Sequence, residues 1–134
     1  MSLRTLYSPA PLWFSSGLQY PSEIRAMIEL RVACGISLNH AREDLFEYLI
    51  RRKDEVPALF IDSGAFSETP NNPFTSAVWE EKLCKYERLT KTYGDRCVFV
   101  APDKIGDQVE TLNRWLEHQH RLEQLQQHSY MIVP

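Results

Sequence analysis

Two short apolar runs, each closed by an aspartate and followed by a long amphipathic stripe, constrain this chain more than any other feature. The first is Ala58-Leu59-Phe60-Ile61, stopped by Asp62-Ser63-Gly64; the second is Cys97-Val98-Phe99-Val100, stopped by Ala101-Pro102-Asp103. A continuous apolar run bounded by turn signals reads as a buried strand meeting a loop. Between the two, Trp79, Leu83, Tyr86, Thr90 and Tyr93 recur at the spacing of one helix face, and Gly94 is the expected stop. After the second run Val109, Leu112, Leu116, Leu122 and Leu125 stripe another helix. Asp107 falls near its start, where a negative charge suits the helix dipole.

The rest of the chain follows the same rhythm. Residues 3–7 offer a first short strand, followed by a loop rich in proline and aromatic residues. Pro21-Ser22-Glu23 is a helix start with Ser22 as candidate N-cap. Ile24, Met27, Ile28 and Val32 share its apolar face, Gly35 is a plausible residue to close it, and residues 36–38 suit a very short strand. Leu45, Phe46, Leu49 and Ile50 stripe a helix over residues 42–53 that Pro57 ends. Thr69-Pro70-Asn71-Asn72-Pro73 is a loop by composition, and residues 130–133 form a last strand.

Strands alternating with helices, on connections of this length, imply an α/β fold with a parallel sheet and crossover helices. The alternation fits an open sheet and part of a closed barrel equally. In both, ligands bind at the carboxyl ends of the strands, which puts Asp62 and Asp103 at the binding edge. A final strand with nothing to cover it leaves an exposed edge. The expectation is one domain over residues 1–134, incomplete at its C-terminal end and completed by further chain, a partner or a second copy.

Composition narrows the function classes. With 43% hydrophobic and 25% charged residues, the 134-residue chain has the make-up of an ordinary globular domain with one core. A formal charge of −3 argues against a protein that coats nucleic acid non-specifically. The small basic run Arg51-Arg52-Lys53 reads as the complement of a helix dipole. No apolar run reaches the ~18 residues that span a bilayer, and the N-terminus lacks the basic start and apolar core of a secretory signal. Cys34, Cys84 and Cys97 are scattered without a CxxC, which disfavours a zinc cluster in these residues and suits a reduced cytoplasmic setting. The phosphate-binding, dinucleotide-binding and nucleophile-elbow glycine motifs do not occur. His118, His120 and His128 read as a solvated helix face, and His40 as a cap or surface group.

The chemistry concentrates at the two strand ends. An acid directly after a buried run is partly desolvated, which suits Asp62 to proton transfer. Gly64 lets backbone approach a ligand closely, and Phe66 offers a flat surface for a planar ring. The competing reading is an aspartate capping a tight turn with Phe66 in the core. Asp103 repeats the logic one strand later, since a carboxylate can accept two N–H donors from a purine-like edge. For Asp107 the plainer reading, a turn at an acidic helix start, is favoured.

At Asp62-Ser63-Gly64-Ala65-Phe66 the chain resembles the tRNA-guanine transglycosylase superfamily, nearest the branch linked to 7-deazaguanine insertion into DNA in bacteria and phages. That family carries an Asp-Ser-Gly-Gly-Phe-Gln run after a barrel strand; here Ala65 and Ser67 replace the second glycine and the glutamine. Asp103-Lys104-Ile105-Gly106-Asp107, with Glu110, Thr111 and Asn113, is similar to the same relatives at the next strand. Met131-Ile132-Val133-Pro134 falls where the family has a further barrel strand. The resemblance implies roughly half of a TIM (β/α)8 barrel, since a whole one takes about 250 residues. It implies exchange of guanine for a 7-deazaguanine in DNA or tRNA, through a covalent ribosyl–enzyme intermediate. Asp62 would be the acid/base group, Ser63 and Gly64 part of the base site, Phe66 the stacking ring, and Asp103 the partner of the guanine Watson–Crick edge. The family's nucleophilic aspartate and its zinc cluster belong to the later half of the barrel. This chain is therefore expected to carry no cofactor itself and to be inactive alone. The alternatives are a non-catalytic relative that binds a nucleobase, nucleic acid or protein in a regulatory role, and an unrelated half-barrel using two carboxylates on a sugar bond.

Overall fold

The computed structural model describes residues 13–134. Five strands pair in their order along the chain: β1 (Phe14–Ser15), β2 (Ala33–Ser37), β3 (Leu59–Asp62), β4 (Cys97–Val100) and β5 (Tyr130–Ile132). Every pairing is parallel, so each connection must cross back along the sheet. Four helices do this: α1 (Pro21–Leu30), α2 (Glu43–Arg51), α3 (Ser76–Tyr93) and α4 (Gln108–Gln126). The alternating α/β fold expected from the sequence is the observed one. The strand expected over residues 3–7 lies outside the described residues.

Register shows where the helices sit. Cys34 pairs with Leu59, Ile36 with Ile61, Leu59 with Cys97 and Ile61 with Phe99, so these side chains share one face. All of them join one core with Ile24 of α1, Leu45 and Leu49 of α2, Leu83 and Tyr86 of α3, and Leu122 of α4. Four helices therefore cover the same face. The opposite face carries Ala33 and Ala58 with Phe14, Val98 and Tyr130 against them, and the Phe14 and Phe60 rings lie 5.8 Å apart. Sequential strand order with helices on one face is the winding of a (β/α)8 barrel, whereas a doubly wound sheet has helices on both faces and a reversal of strand order.

The helix ends depart from expectation in two places. Ser22 does not cap α1, because the helix already begins at Pro21, and a proline suits the first position. The Glu23 carboxylate instead accepts from the backbone N–H groups of Gln19 (2.7 Å) and Tyr20 (2.9 Å). Gly35 does not end α1; Arg31 does, in the left-handed conformation at φ 56°. Gly35 lies inside β2, where a Cβ would stand 3.1 Å from the Ser15 carbonyl oxygen and the Ser16 Cα. Its missing side chain admits β1, which falls in the proline- and aromatic-rich segment expected to be a loop.

The α3 stripe of Trp79, Leu83, Tyr86, Thr90 and Tyr93 is buried as expected, each large side chain contributing about 2 kcal/mol of burial. Thr75 caps this helix through the Val78 N–H, and Gly94 ends it. In α4 the stripe is only half right. Leu122 and Leu125 are buried, but Val109, Leu112 and Leu116 are more than half exposed, and Arg114 and His118 face inward in their place. Glu68 supplies a buried carboxylate partner to Arg114, which fixes that rotation of the helix. His118 is thus not on a solvated face; its Nε2 lies 3.8 Å from the Glu117 carboxylate. His40 is exposed and caps nothing, α2 being preceded by Arg42. Arg51 lies in the last turn of α2, as its dipole reading required. Among the described residues no helix is long and apolar enough to cross a membrane, and no strand covers the outer edge of β5.

Candidate functional site

Strand parity places Asp62. Ile61 points into the helix layer, so the next residue turns to the opposite face at the carboxyl end of β3. Its Oδ2 accepts from the Gly64 N–H at 3.0 Å, closing a tight turn. Gly64 adopts φ 78°, and a Cβ there would fall 2.7 Å from Cγ of Asn39, the residue two past the end of β2. Asn39 Nδ2 donates to the Gly64 carbonyl at 2.9 Å. The close approach that Gly64 permits is therefore to Asn39.

A 3-10 turn, Ala65–Ser67, follows and projects Phe66 outward. Its ring is 88% exposed, which excludes the core position and leaves a flat apolar face open at the strand-end rim.

Ser63 links the two acids. It is buried, its Oγ donates to Asp103 Oδ1 at 2.5 Å, and the same Oγ accepts from the Ala65 N–H at 3.3 Å. Asp103 lies just past the end of β4, whose last carbonyl, on Val100, accepts from the buried Tyr86 hydroxyl at 2.6 Å. Burial holds that phenol neutral, well above its usual range. Arg114 Nη1 donates to the Asp103 backbone carbonyl at 2.7 Å and to Glu68 at 2.8 Å, while Nη2 reaches Glu68 at 2.7 Å. Glu68 also accepts from the Phe74 N–H at 2.8 Å. The hydrogen bond from Arg114 keeps the Glu68 carboxyl below its ordinary range against the opposing effect of burial. One buried ion pair thus fixes both the segment after β3 and the segment after β4.

Under these strand ends lies Lys82, which the sequence reading did not single out. It is 5% exposed, its Nζ donates to the Ser63 carbonyl and to Asn39 Oδ1, each at 2.5 Å, and it stands 4.1 Å from the Phe74 ring centroid. Burial pushes its ammonium down to about 8, aided by Lys85 and opposed by Asp62, Asp103 and Glu68. The available signal was position: Lys82 falls three residues after Trp79 on the buried face of α3, where a charged residue needs a buried partner.

Asp62 and Asp103 each spend one carboxylate oxygen on the protein and keep the other without a hydrogen bond among the described residues. Two acceptor oxygens at neighbouring strand ends can receive adjacent N–H donors of a heterocycle, and the exposed Phe66 ring offers its face. Ser63 supports this arrangement from below, since its hydroxyl is already engaged. A groove of about 1100 Å³ runs from Asp103 along the apolar side of α4, past Ile105, Leu112 and Trp115 to Val133. Cys34 and Cys97 are buried in the sheet, Cys84 is exposed, and among the described residues no three His, Cys, Asp or Glu side chains gather as a metal site.

No family model, curated protein or solved structure matches the chain. The resemblance to the transglycosylases therefore rests on the sequence segments at Asp62, at Asp103 and at Met131–Pro134.

Proposed function

We propose that the chain is the base-recognising half of a guanine/7-deazaguanine transglycosylase-like enzyme acting on nucleic acid. The observation that carries this reading is the Ser63-linked pair of aspartates, each with one unspent oxygen, at the strand ends beside the turn that exposes Phe66. Guanine and 7-deazaguanine share an amide-like N–H and an adjacent amino group, two neighbouring donors that suit carboxylate acceptors. In this reading Asp103 accepts from that edge, Phe66 stacks on the ring, and Asp62 exchanges a proton with the base as its bond to ribose breaks and reforms. Base exchange at a ribosyl bond further needs a nucleophile, which a second polypeptide, a second copy or further chain would supply to complete the barrel. The chain alone is then a binding module for the base, with DNA or tRNA as the polymer.

Calorimetric titration of guanine and 7-deazaguanine into the wild type, Asp62→Asn and Asp103→Asn tests this. Loss of a hydrogen bond to a charged group is worth about 1.5–3 kcal/mol, so each variant should bind roughly 10- to 100-fold more weakly. A folded wild type that binds neither base, or binds both unchanged after either substitution, overturns the reading.

A further inference from the structure

We propose that Lys82 is the positioning residue of this site, holding Ser63 where its hydroxyl can orient Asp103. The inference deepens the base-recognition reading and rests on it for its ligand. Lys82 reaches from α3 into the gap between two strand ends, and its ammonium joins the Asn39 side chain after β2 to the Ser63 backbone after β3. Asn39 passes the restraint on, since its amide donates to the Gly64 carbonyl. Both carbonyls of the Ser63-Gly64 pair are thereby fixed from below, by groups that are not themselves aimed at solvent. The Ser63 hydroxyl, on the same residue, then has one acceptor in reach at the neighbouring strand end, Asp103 Oδ1 at 2.5 Å. The chain of contacts runs from Lys82 to Ser63 to Asp103 and crosses from β3 to β4.

Energetic preference alone does not place an ammonium here. Burial disfavours its charge, and an apolar side chain of the same length would pack between Phe74 and Trp79 without that penalty. What an apolar side chain cannot do is donate to Ser63 and Asn39 together. Lysine at this position is explained by the geometry it imposes on the strand ends.

Two measurements on the purified chain test this, using Lys82→Met and, should that variant fold poorly, Lys82→Gln. The first is a double-mutant cycle on 7-deazaguanine affinity with Ser63→Ala. If Lys82 acts through Ser63, Lys82→Met weakens binding about tenfold in the wild-type background and less than twofold in the Ser63→Ala background. Equal losses in both backgrounds would mark Lys82 as a purely structural residue and overturn the proposal. The second needs no ligand: amide hydrogen exchange at Gly64 and Ala65, whose N–H groups donate to Asp62 and Ser63. It should quicken about tenfold in the Lys82 variant while β3 and β4 amides keep their rates. Unchanged exchange at those two amides overturns the positioning role. A wild type that fails to bind the base removes the function reading, and the exchange result then decides the role of Lys82.

Discussion

The Ser63 hydroxyl donates to the Asp103 carboxylate at 2.5 Å, bridging forty positions of sequence and two adjacent strand ends. This contact turns two separate strand-end acids into one site. Removing it with Ser63→Ala frees Asp103 and also takes away the acceptor of the Ala65 N–H. A hydrogen bond to a charged acceptor contributes about 1.5–3 kcal/mol. Urea denaturation should show a loss in that range, with Asp103 no longer held toward β3.

Gly64→Ala should destabilise the fold by ~1–3 kcal/mol, measured in the same way. Two causes add: a left-handed φ of 78°, and a methyl group 2.7 Å from Asn39 Cγ. In an Asn39→Gly background, itself weakened by loss of the Lys82 and Gly64 hydrogen bonds, the additional cost of Gly64→Ala should be smaller, because only the first cause remains.

The Glu68–Arg114 pair is nearly closed to solvent, with side chains 9% and 4% exposed. Breaking it with Glu68→Gln should cost about 3 kcal/mol, because a buried guanidinium loses its two-pronged carboxylate and keeps only the more exposed Glu110. The hydrogen bond from Arg114 lowers the folded carboxyl below the ordinary 4.5, so its contribution is fully present above about that pH. That contribution is lost as pH falls through the folded value. Acid denaturation followed by circular dichroism should therefore begin at higher pH in the variant.

Lys82 gives a pH signature of the same sign in a different, alkaline window. Its ammonium is lowered from 10.5 to about 8 in the folded chain. Between those values the unfolded chain keeps a proton that the folded chain has lost, so stability rises with pH across that window. The Tyr93 hydroxyl and Cys97 thiol, both raised by burial, slope the other way but do so equally in wild type and Lys82→Met. The difference in unfolding free energy should thus shift in favour of the wild type from pH 8 to pH 10.5. A flat difference would show that Lys82 titrates as it does in the unfolded chain.

Much of this fold was legible because local patterns and tertiary packing agree. The Cys97–Val100 run is a strand with the bounds its apolar residues suggest, and the α3 stripe is buried throughout. Asp62 and Asp103 stood out because an acid closing a buried run has to lie at a strand end. The failures share a physical cause, a partner distant in sequence. Phe14–Ser15 is a strand only through its pairing with Ala33 and Cys34. Gly35 looked like a helix stop because the close backbone of residues 15 and 16 is not visible from its neighbours. Arg114 and His118 face inward against the apolar pattern of α4 because Glu68, forty-six positions away from Arg114, supplies the charge. Lys82 was passed over for the same reason, its acceptors belonging to Asn39 and Ser63.

The most direct test of the central claim is a comparison of guanine, 7-deazaguanine, hypoxanthine and adenine binding to the wild-type chain by calorimetry. Hypoxanthine keeps the ring amide of guanine but lacks the amino group, and adenine presents a different edge. Guanine and 7-deazaguanine should bind with similar affinity and hypoxanthine at least tenfold more weakly, with adenine weaker still. Equal affinity for all four bases, or none for any of them, would contradict a base-reading site at Asp62 and Asp103.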